Sequence, residues 1–395
     1  MIKDLREEFN SKFHERSYHS FLKRLDYRFR SEIFFRVAET PVFIPNNFRK
    51  ICENAAIDIS MQAHNHDYLK ETNNIIPSKY LTINQKERSQ FITVDFAVTL
   101  ENGVATPKLV ELQGFPSLMG YQLALAELSL EHYRLPTNLS YINSDLNRVE
   151  YIDLLRKVIV NDEAPESVAL MELDPFHQKT LPDFMMIKEL LGIGIADVRY
   201  IKSHGKELFY ESNGELHPIK RIFNRVIFDE LERKNIKTNI NWNEDLDIEW
   251  ISNPNWFYRI SKFTIPFLKH STVPETILLN KIDFLPKDLE NYVLKPLFSF
   301  SGNGVILSPN SKDINNILHK EKQNYILQRR IDYASIIDTP VGDTKLEYRI
   351  MLVWPDDEVK PIPIMGLARL GRGPMMGVDH NANMTWIGSS CALYG

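Results

Sequence analysis

Apolar residues recur at helical spacing over the first forty positions. Phe9, Phe13, Phe21, Leu22, Leu25, Phe29, Ile33 and Val37 fall near one face with charges between them, which predicts a helix over 3–39 closed by Pro41 and Pro45. Its basic residues Lys23, Arg24, Arg28 and Arg30 read as a solvated face. Further on the period changes to two. Residues 91–98 (F-I-T-V-D-F-A-V) predict a strand, Glu101-Asn102-Gly103 a turn, and 108–113 the returning arm of a hairpin. A loop over 114–120 and a helix over 121–133 follow.

The middle of the chain changes style. A buried-type strand at 167–171 precedes a helix over 181–191, with Pro182 in its first turn and Gly192 and Gly194 stopping it. Strands at 196–201 and 219–226 and a helix from Phe228 complete a β-α-β run, the pattern of a small parallel sheet. Residues 256–270 read as irregular or helical and bring Arg259 and Lys262. The last third alternates strands, at 292–296, 304–308, 325–331, 346–354 and 362–369, which predicts an antiparallel sheet. The Gly/Met-rich 371–377 reads as a mobile loop. The fold class is α+β with an α/β subdomain, divided at 1–165, 166–270 and 271–395.

Composition narrows the function classes. The 395 residues are 43% hydrophobic and 25% charged, ordinary for a soluble globular chain, and the net charge of −5 gives no case for nonspecific nucleic-acid binding. Cys52 and Cys391 stand far apart, so a disulfide framework is absent and a reducing compartment is expected. No apolar run approaches the roughly 20 residues of a membrane span. The N-terminus (M-I-K-D-L-R-E-E-F) carries acids early, unlike an export signal, so a cytoplasmic protein with no membrane partner is expected.

The candidate chemistry is concentrated in a few segments. Residues 292–305 (Y-V-L-K-P-L-F-S-F-S-G-N-G-V) place Lys295 on a strand and Ser301, Gly302, Asn303 and Gly304 in the following loop. Glycine lets backbone N–H groups approach an anion closely, and the lysine adds charge, a pairing suited to a di- or triphosphate. Because the lysine precedes the glycines, this is not a Walker loop. Downstream lie Gln328-Arg329-Arg330-Ile331, then Glu347 and Arg349 two apart on one strand face, then Arg369-Leu370-Gly371-Arg372-Gly373 with Asn381 and Asn383. Far upstream, Asp95 faces Glu111 and Gln113 across the predicted hairpin, an oxygen-only set suited to Mg²⁺. His64 and His66 have no third soft ligand nearby in sequence and receive no metal role.

In this order the segments resemble the ATP-grasp superfamily. With Glu111-Leu112-Gln113 placed first rather than last, they resemble its circularly permuted branch, which includes eukaryotic glutathione synthetase and glutathionylspermidine synthase. The resemblance implies an ATP-grasp fold with ATP and Mg²⁺ as cofactors. Lys295 and Lys262 would meet the nucleotide, and 299–304 would close over the phosphates. Gln328, Arg329 and Ile331 would form the adenine hinge, while Glu347 adds to the nucleotide site. Asp95, Glu111 and Gln113 would hold the metal. Arg369, Lys295 and Arg349 would serve catalysis, Arg369 facing an acyl phosphate or the acceptor. The implied activity is joining a small-molecule carboxylate to an amine or thiol, in a homodimer. Departures are Gln113 for Asn, Thr93 for an expected Arg, Ser299 for a loop Glu, and Arg329 for an acidic hinge residue. They leave open an inactive nucleotide-binding relative, and a structural protein without nucleotide remains a third alternative.

Overall fold

The computed structural model describes residues 1–83, 86–116, 118–298, 304–377, 381 and 383–395. Along the chain the strands are β1 (Val42–Ile44), β2 (Phe91–Glu101), β3 (Val104–Gln113), β4 (Val168–Glu172), β5 (Gly194–Asp197), β6 (Lys202–His204), β7 (Glu207–Ser212), β8 (Glu215–Ile219), β9 (Arg221–Asn224) and β10 (Glu249–Ile251). They continue as β11 (Thr276–Leu278), β12 (Tyr292–Pro296), β13 (Ile306–Leu307), β14 (Tyr325–Arg329), β15 (Ser335–Ile337), β16 (Thr344–Val353), β17 (Ile362–Gly371) and β18 (Gly388–Tyr394).

The main sheet runs β1-β18-β17-β16-β2-β3, with β15 at the side of β16. It is built from segments far apart in sequence: the hairpin β2–β3 pairs through β2 with β16 in antiparallel register. The hairpin follows from its sequence, since alternate apolar residues of β2 are buried and the Asn102-Gly103 turn takes the left-handed conformations (φ 51° and 78°) that these residues tolerate best. The helix Asn46–Gln62 packs Phe48, Ala55, Ala56 and Ile59 into the core cluster that holds Val94, Phe96 and Ile350.

A second, parallel sheet of order β10-β9-β4-β5 sits between the halves of the main sheet in sequence, as the β-α-β reading expects. Its helix Leu181–Leu191 ends at Gly192 with φ 79°, the left-handed cap that glycine adopts without strain. A three-stranded ribbon, β6-β7-β8, is attached to it, and a fourth sheet has the order β11-β14-β12-β13.

Three expectations are corrected. The predicted 3–39 helix is two helices, Lys3–Lys12 and Glu15–Phe29, and Val37 instead bridges to Ser389. The late strands do not form one sheet: β12, β13 and β14 join β11, whereas β16 and β17 join the early hairpin. Strand β18, which the apolar pattern did not mark, lies between β17 and β1. Among the described residues no helix is long and apolar enough to cross a membrane.

Candidate functional site

Strand register assembles the site. On β2 and β3, Asp95 stands opposite Glu111, and on the other side Asp95 stands opposite Arg349 of β16. Two residues along, Glu347 is opposite Arg369 of β17, which is opposite Ser389 of β18. Because directly paired residues share a face, the sheet carries two rows of polar side chains, Glu111-Asp95-Arg349 and Glu347-Arg369-Ser389. Register shifts between Asp95 and Phe96, leaving Val110 as the extra residue of β3. The Val110 carbonyl accepts a hydrogen bond of 3.3 Å from Lys295 Nζ, which reaches across from β12. The acidic hairpin and the lysine strand therefore meet directly.

Lys295 also donates to Oε1 of the buried Gln328 on β14. The Gln328 Nε2 is buried and has no hydrogen-bond partner among the described residues. Glu111 Oε2 lies 3.5 Å from Lys262 Nζ, and Gln113 Nε2 donates to Glu111 Oε1 at 2.9 Å. Burial would raise the Glu111 carboxyl, but Lys262, Arg349, Lys295 and Arg369 outweigh it and hold it below its ordinary value. Burial pushes the Lys295 ammonium down to about 8, with Lys262 adding to the effect and Glu111 opposing it.

All these groups except Asp95 line one cavity of about 1160 Å³. Ten lysine and arginine side chains line it among the described residues, against three carboxylates, Glu111, Asp332 and Glu347. That excess suits a polyanion, because like charges held near one another in a dry cleft are unfavourable until a ligand neutralises them. Val293, Val305, Leu307 and Ile331 supply an apolar wall beside the β14 hinge. The N–H groups of Arg329 and Arg330 are taken by the Glu275 and Asn291 carbonyls, both at 2.8 Å, while the Ile331 N–H has no partner among the described residues.

Several of the expected site residues already have protein partners. Asp95 is 2% exposed, and both its oxygens accept from Arg349, from Nε at 2.5 Å and from Nη2 at 2.6 Å. In this arrangement it is a partner of Arg349 rather than an open metal ligand, and Arg349 is correspondingly a sheet-buttressing cation. Burial works against the Arg349 charge, but Asp95, Glu111 and Glu347 outweigh it and raise its pKa. Glu347 has one oxygen on Arg369 (2.8 Å) and the other on the Tyr333 hydroxyl (2.7 Å), so it too is engaged. Burial and the nearby Asp95 raise its carboxyl against the pull of Arg369.

The Arg329 side chain does not enter the phosphate region. It pairs with Asp288 at 2.6 Å and lies 4.6 Å from the Tyr292 ring centroid. Ser299, Ser301, Gly302 and Asn303 lie outside the described residues. Gly304 has φ 72°, and a Cβ there would meet Pro296 Cγ at 2.9 Å, so glycine is required at the end of that loop.

The 371–377 segment is held rather than loose. The buried Asn381 side chain accepts from the Arg372 and Gly373 N–H groups at 2.8 and 2.9 Å and donates to the Met375 and Gly377 carbonyls, both at 2.9 Å. His64 is a packing residue. Its Nδ1 meets the Ser60 carbonyl at 2.7 Å, its Nε2 accepts from the Ser89 N–H at 3.1 Å, and its ring lies against Trp256 and Trp354. Burial lowers its pKa to about 4.

Arg225 was missed in the sequence. It follows β9 at the C-terminal edge of the parallel sheet, where open α/β sheets place ligands, and that position was its only signal. The guanidinium is 5% exposed and lines the cavity. It donates to the Pro116 carbonyl and lies over the Phe115 and Phe184 rings, and it has no ion pair within 4 Å among the described residues. Lys179 and Arg36 line the same end.

Among the described residues no three His, Cys, Asp or Glu side chains gather around one point. Mg²⁺ needs only one or two carboxylates when phosphates and water complete its shell, so Glu111 with the Gln113 amide oxygen fits a nucleotide-bound ion, without Asp95.

Among solved structures, the chain is similar to a glutathione synthetase-like effector from Globodera pallida in its apo form, with a TM-score of 0.57 at 11% identity over 97% of each chain. A protein proposed to be a gamma-glutamylcysteine synthetase from Methylobacillus flagellatus aligns over 84% of this chain and 86% of its own, at 11% identity and a TM-score of 0.42. No family profile matches the chain, and no curated protein does. The chain thus shares the fold of a glutathione synthetase-like protein, the fold that the motif order led us to expect.

Proposed function

We propose that this chain, on its glutathione synthetase-like fold, is an ATP-dependent ligase joining a carboxylic acid to an amine or thiol. The observation that carries this is the contact of Lys295 with the Val110 carbonyl, which brings Lys295 and Lys262 to Glu111 inside one cationic cleft. Lys295 and Lys262 would neutralise the phosphates, and the Ile331 backbone with the Val293–Leu307 wall would take the base. Glu111 and Gln113 would hold Mg²⁺, which when bound supplies further charge neutralisation at the phosphates.

The substrate carboxylate oxygen would attack the γ-phosphorus, breaking the β–γ bridge to release ADP and leave an acyl phosphate. The amine or thiol then attacks the acyl carbon, phosphate departs, and the nucleophile's proton is lost. Arg369 would stand where negative charge develops, and buried Arg225 would offer a counter-ion for an anionic group of a substrate. The protein's work is positioning and electrostatics, consistent with the absence of a nucleophile triad among the named residues.

Thermal stabilisation by millimolar Mg·ATP, with ADP release in the presence of acid and amine pools, tests this. Lys295→Ala should abolish both. Stabilisation without turnover would instead favour a nucleotide-binding protein lacking ligase activity. The engagement of both Asp95 and Glu347 by arginines, with Glu111 itself beside Lys262 and Gln113, supports that alternative.

A further inference from the structure

Polarity changes across the main sheet in a fixed direction. From β3 through β2 to β16 the face beneath Lys295 carries Glu111, Asp95, Arg349 and Glu347. Arg369 on β17 is the last charged member of the row, and Ser389 follows on β18. Beyond it the cavity wall is mainly apolar, with Leu367, Ile387, Met384, Met375, Met376 and Phe35; its cations are engaged, Arg36 by Glu39 and Lys345 by the Gly373 carbonyl at 2.9 Å. Strands lie about 4.8 Å apart, so this region begins roughly 5 Å past Arg369.

The apolar wall is built in advance. Asn381 makes all four of its side-chain hydrogen bonds to the backbone of 372–377, which fixes the segment bearing Met375 and Met376. Gly371 admits Met376 closely, since a Cβ there would lie 3.0 Å from its Sδ. The three carboxylates that line the cavity among the described residues, Glu111, Asp332 and Glu347, belong to β3, the segment after β14, and β16, so none stands on this wall to hold an ammonium group. Methionines make an adaptable apolar surface suited to a flexible chain.

We infer that the acid substrate is a monocarboxylate with an apolar body, its carboxylate at Arg369 and its chain against Met375, Met376, Met384 and Ile387. This rests on the ligase reading for the reacting end but concerns a different part of the cleft. A dicarboxylate would set a second charge against the methionines, where Arg36 is already paired with Glu39 and Lys345 already donates to the Gly373 carbonyl, and a polyamine would find no lining carboxylate there; both are disfavoured by desolvation.

The test is binding of acetate, butanoate, hexanoate and octanoate to the full-length protein, by calorimetry, with and without Mg²⁺ and a non-hydrolysable ATP analogue. Full burial of one methylene is worth about fourfold in affinity, so twofold to fourfold tightening per methylene is expected, with hexanoate bound better than adipate and hexylamine not bound. Met376→Asp should flatten the series, Met376→Leu should restore it, and neither should change nucleotide binding. A flat series, adipate equal to or better than hexanoate, or no binding of any acid would overturn the inference. Absence of nucleotide binding with the chain-length trend intact would instead count against the ligase reading alone.

Discussion

Replacing Asp95 with Asn separates a structural role from a metal-binding one. Asp95 is buried, and its two oxygens are bound by Arg349 in a fork-to-fork geometry. Removing one partner of such a pair leaves the other charge buried and uncompensated, which destabilises by about 3–5 kcal/mol. Unfolding entropy near 2 cal/mol/K per residue gives roughly 0.8 kcal/mol/K for a chain this long, so Tm should fall by about 4–6 °C. Arg349→Met should act similarly. The double variant should recover much of the loss, with a coupling energy of about 2–3 kcal/mol. Scanning calorimetry on the four proteins gives the cycle. The same four proteins, titrated with ATP at varied Mg²⁺, should retain Mg²⁺ dependence in the double variant, whereas Glu111→Gln should lose it. If Asp95→Asn abolished the Mg²⁺ dependence while leaving Tm unchanged, the assignment of Asp95 to the arginine would be refuted.

Three further outcomes follow from the same geometry. In the free protein the Lys295 ammonium titrates at about 8, and phosphates favour its charged form, so Mg·ATP affinity should be level below that pH and fall up to about tenfold per unit above it; Lys295→Arg should remove the decline, and a wild-type affinity constant to pH 9.5 would contradict this. Burial raises the Glu172 carboxyl to about 8 against an ordinary value near 4.5, so the native state binds the extra proton between those values and stability should fall as pH rises through that window; Glu172→Gln should flatten the Tm profile from pH 5 to pH 8. Gly366→Ala would place a Cβ 2.2 Å from the Tyr394 hydroxyl and 2.7 Å from Tyr348, splitting their 2.9 Å hydrogen bond, and should destabilise by about 2–4 kcal/mol in denaturant titration.

Some local signals were read and others were not, since the β7–β8 hairpin carries an Asn213-Gly214 turn that went unmarked; those that were read are compact. The β2–β3 hairpin has alternation and a turn dipeptide within one short stretch, and the helix Leu181–Leu191 has its proline near the start and its glycine at the end. The break between the first two helices carries neither glycine nor proline, only Phe13 and His14 in extended conformation, so periodicity ran across it. Strand β18 was missed because its first residues, Gly388-Ser389-Ser390, are small or polar and give no apolar alternation, and its partners Val42–Ile44 and β17 are tertiary choices. The site divides in the same way. Motif order anticipated that Glu111 and Lys295 would meet, but the capture of Asp95 by Arg349 depends on the register between strands some 254 residues apart, which no local pattern encodes. Arg225 comes from a third sheet, and its significance depends on burial without an ion pair, a property of the folded chain alone.

The placement of β16 beside β2 also bears on how the chain reaches its native state. On the ribosome, the early hairpin emerges with one edge of β2 unpaired, and more than two hundred further residues must be made before β16 arrives to pair with it. At typical elongation rates that is an interval of roughly ten seconds or more, during which an unpaired, apolar strand edge is open to wrong partners. The parallel sheet made in the meantime can assemble from nearer segments. The main sheet, and with it the cleft, cannot be completed until those late residues are made.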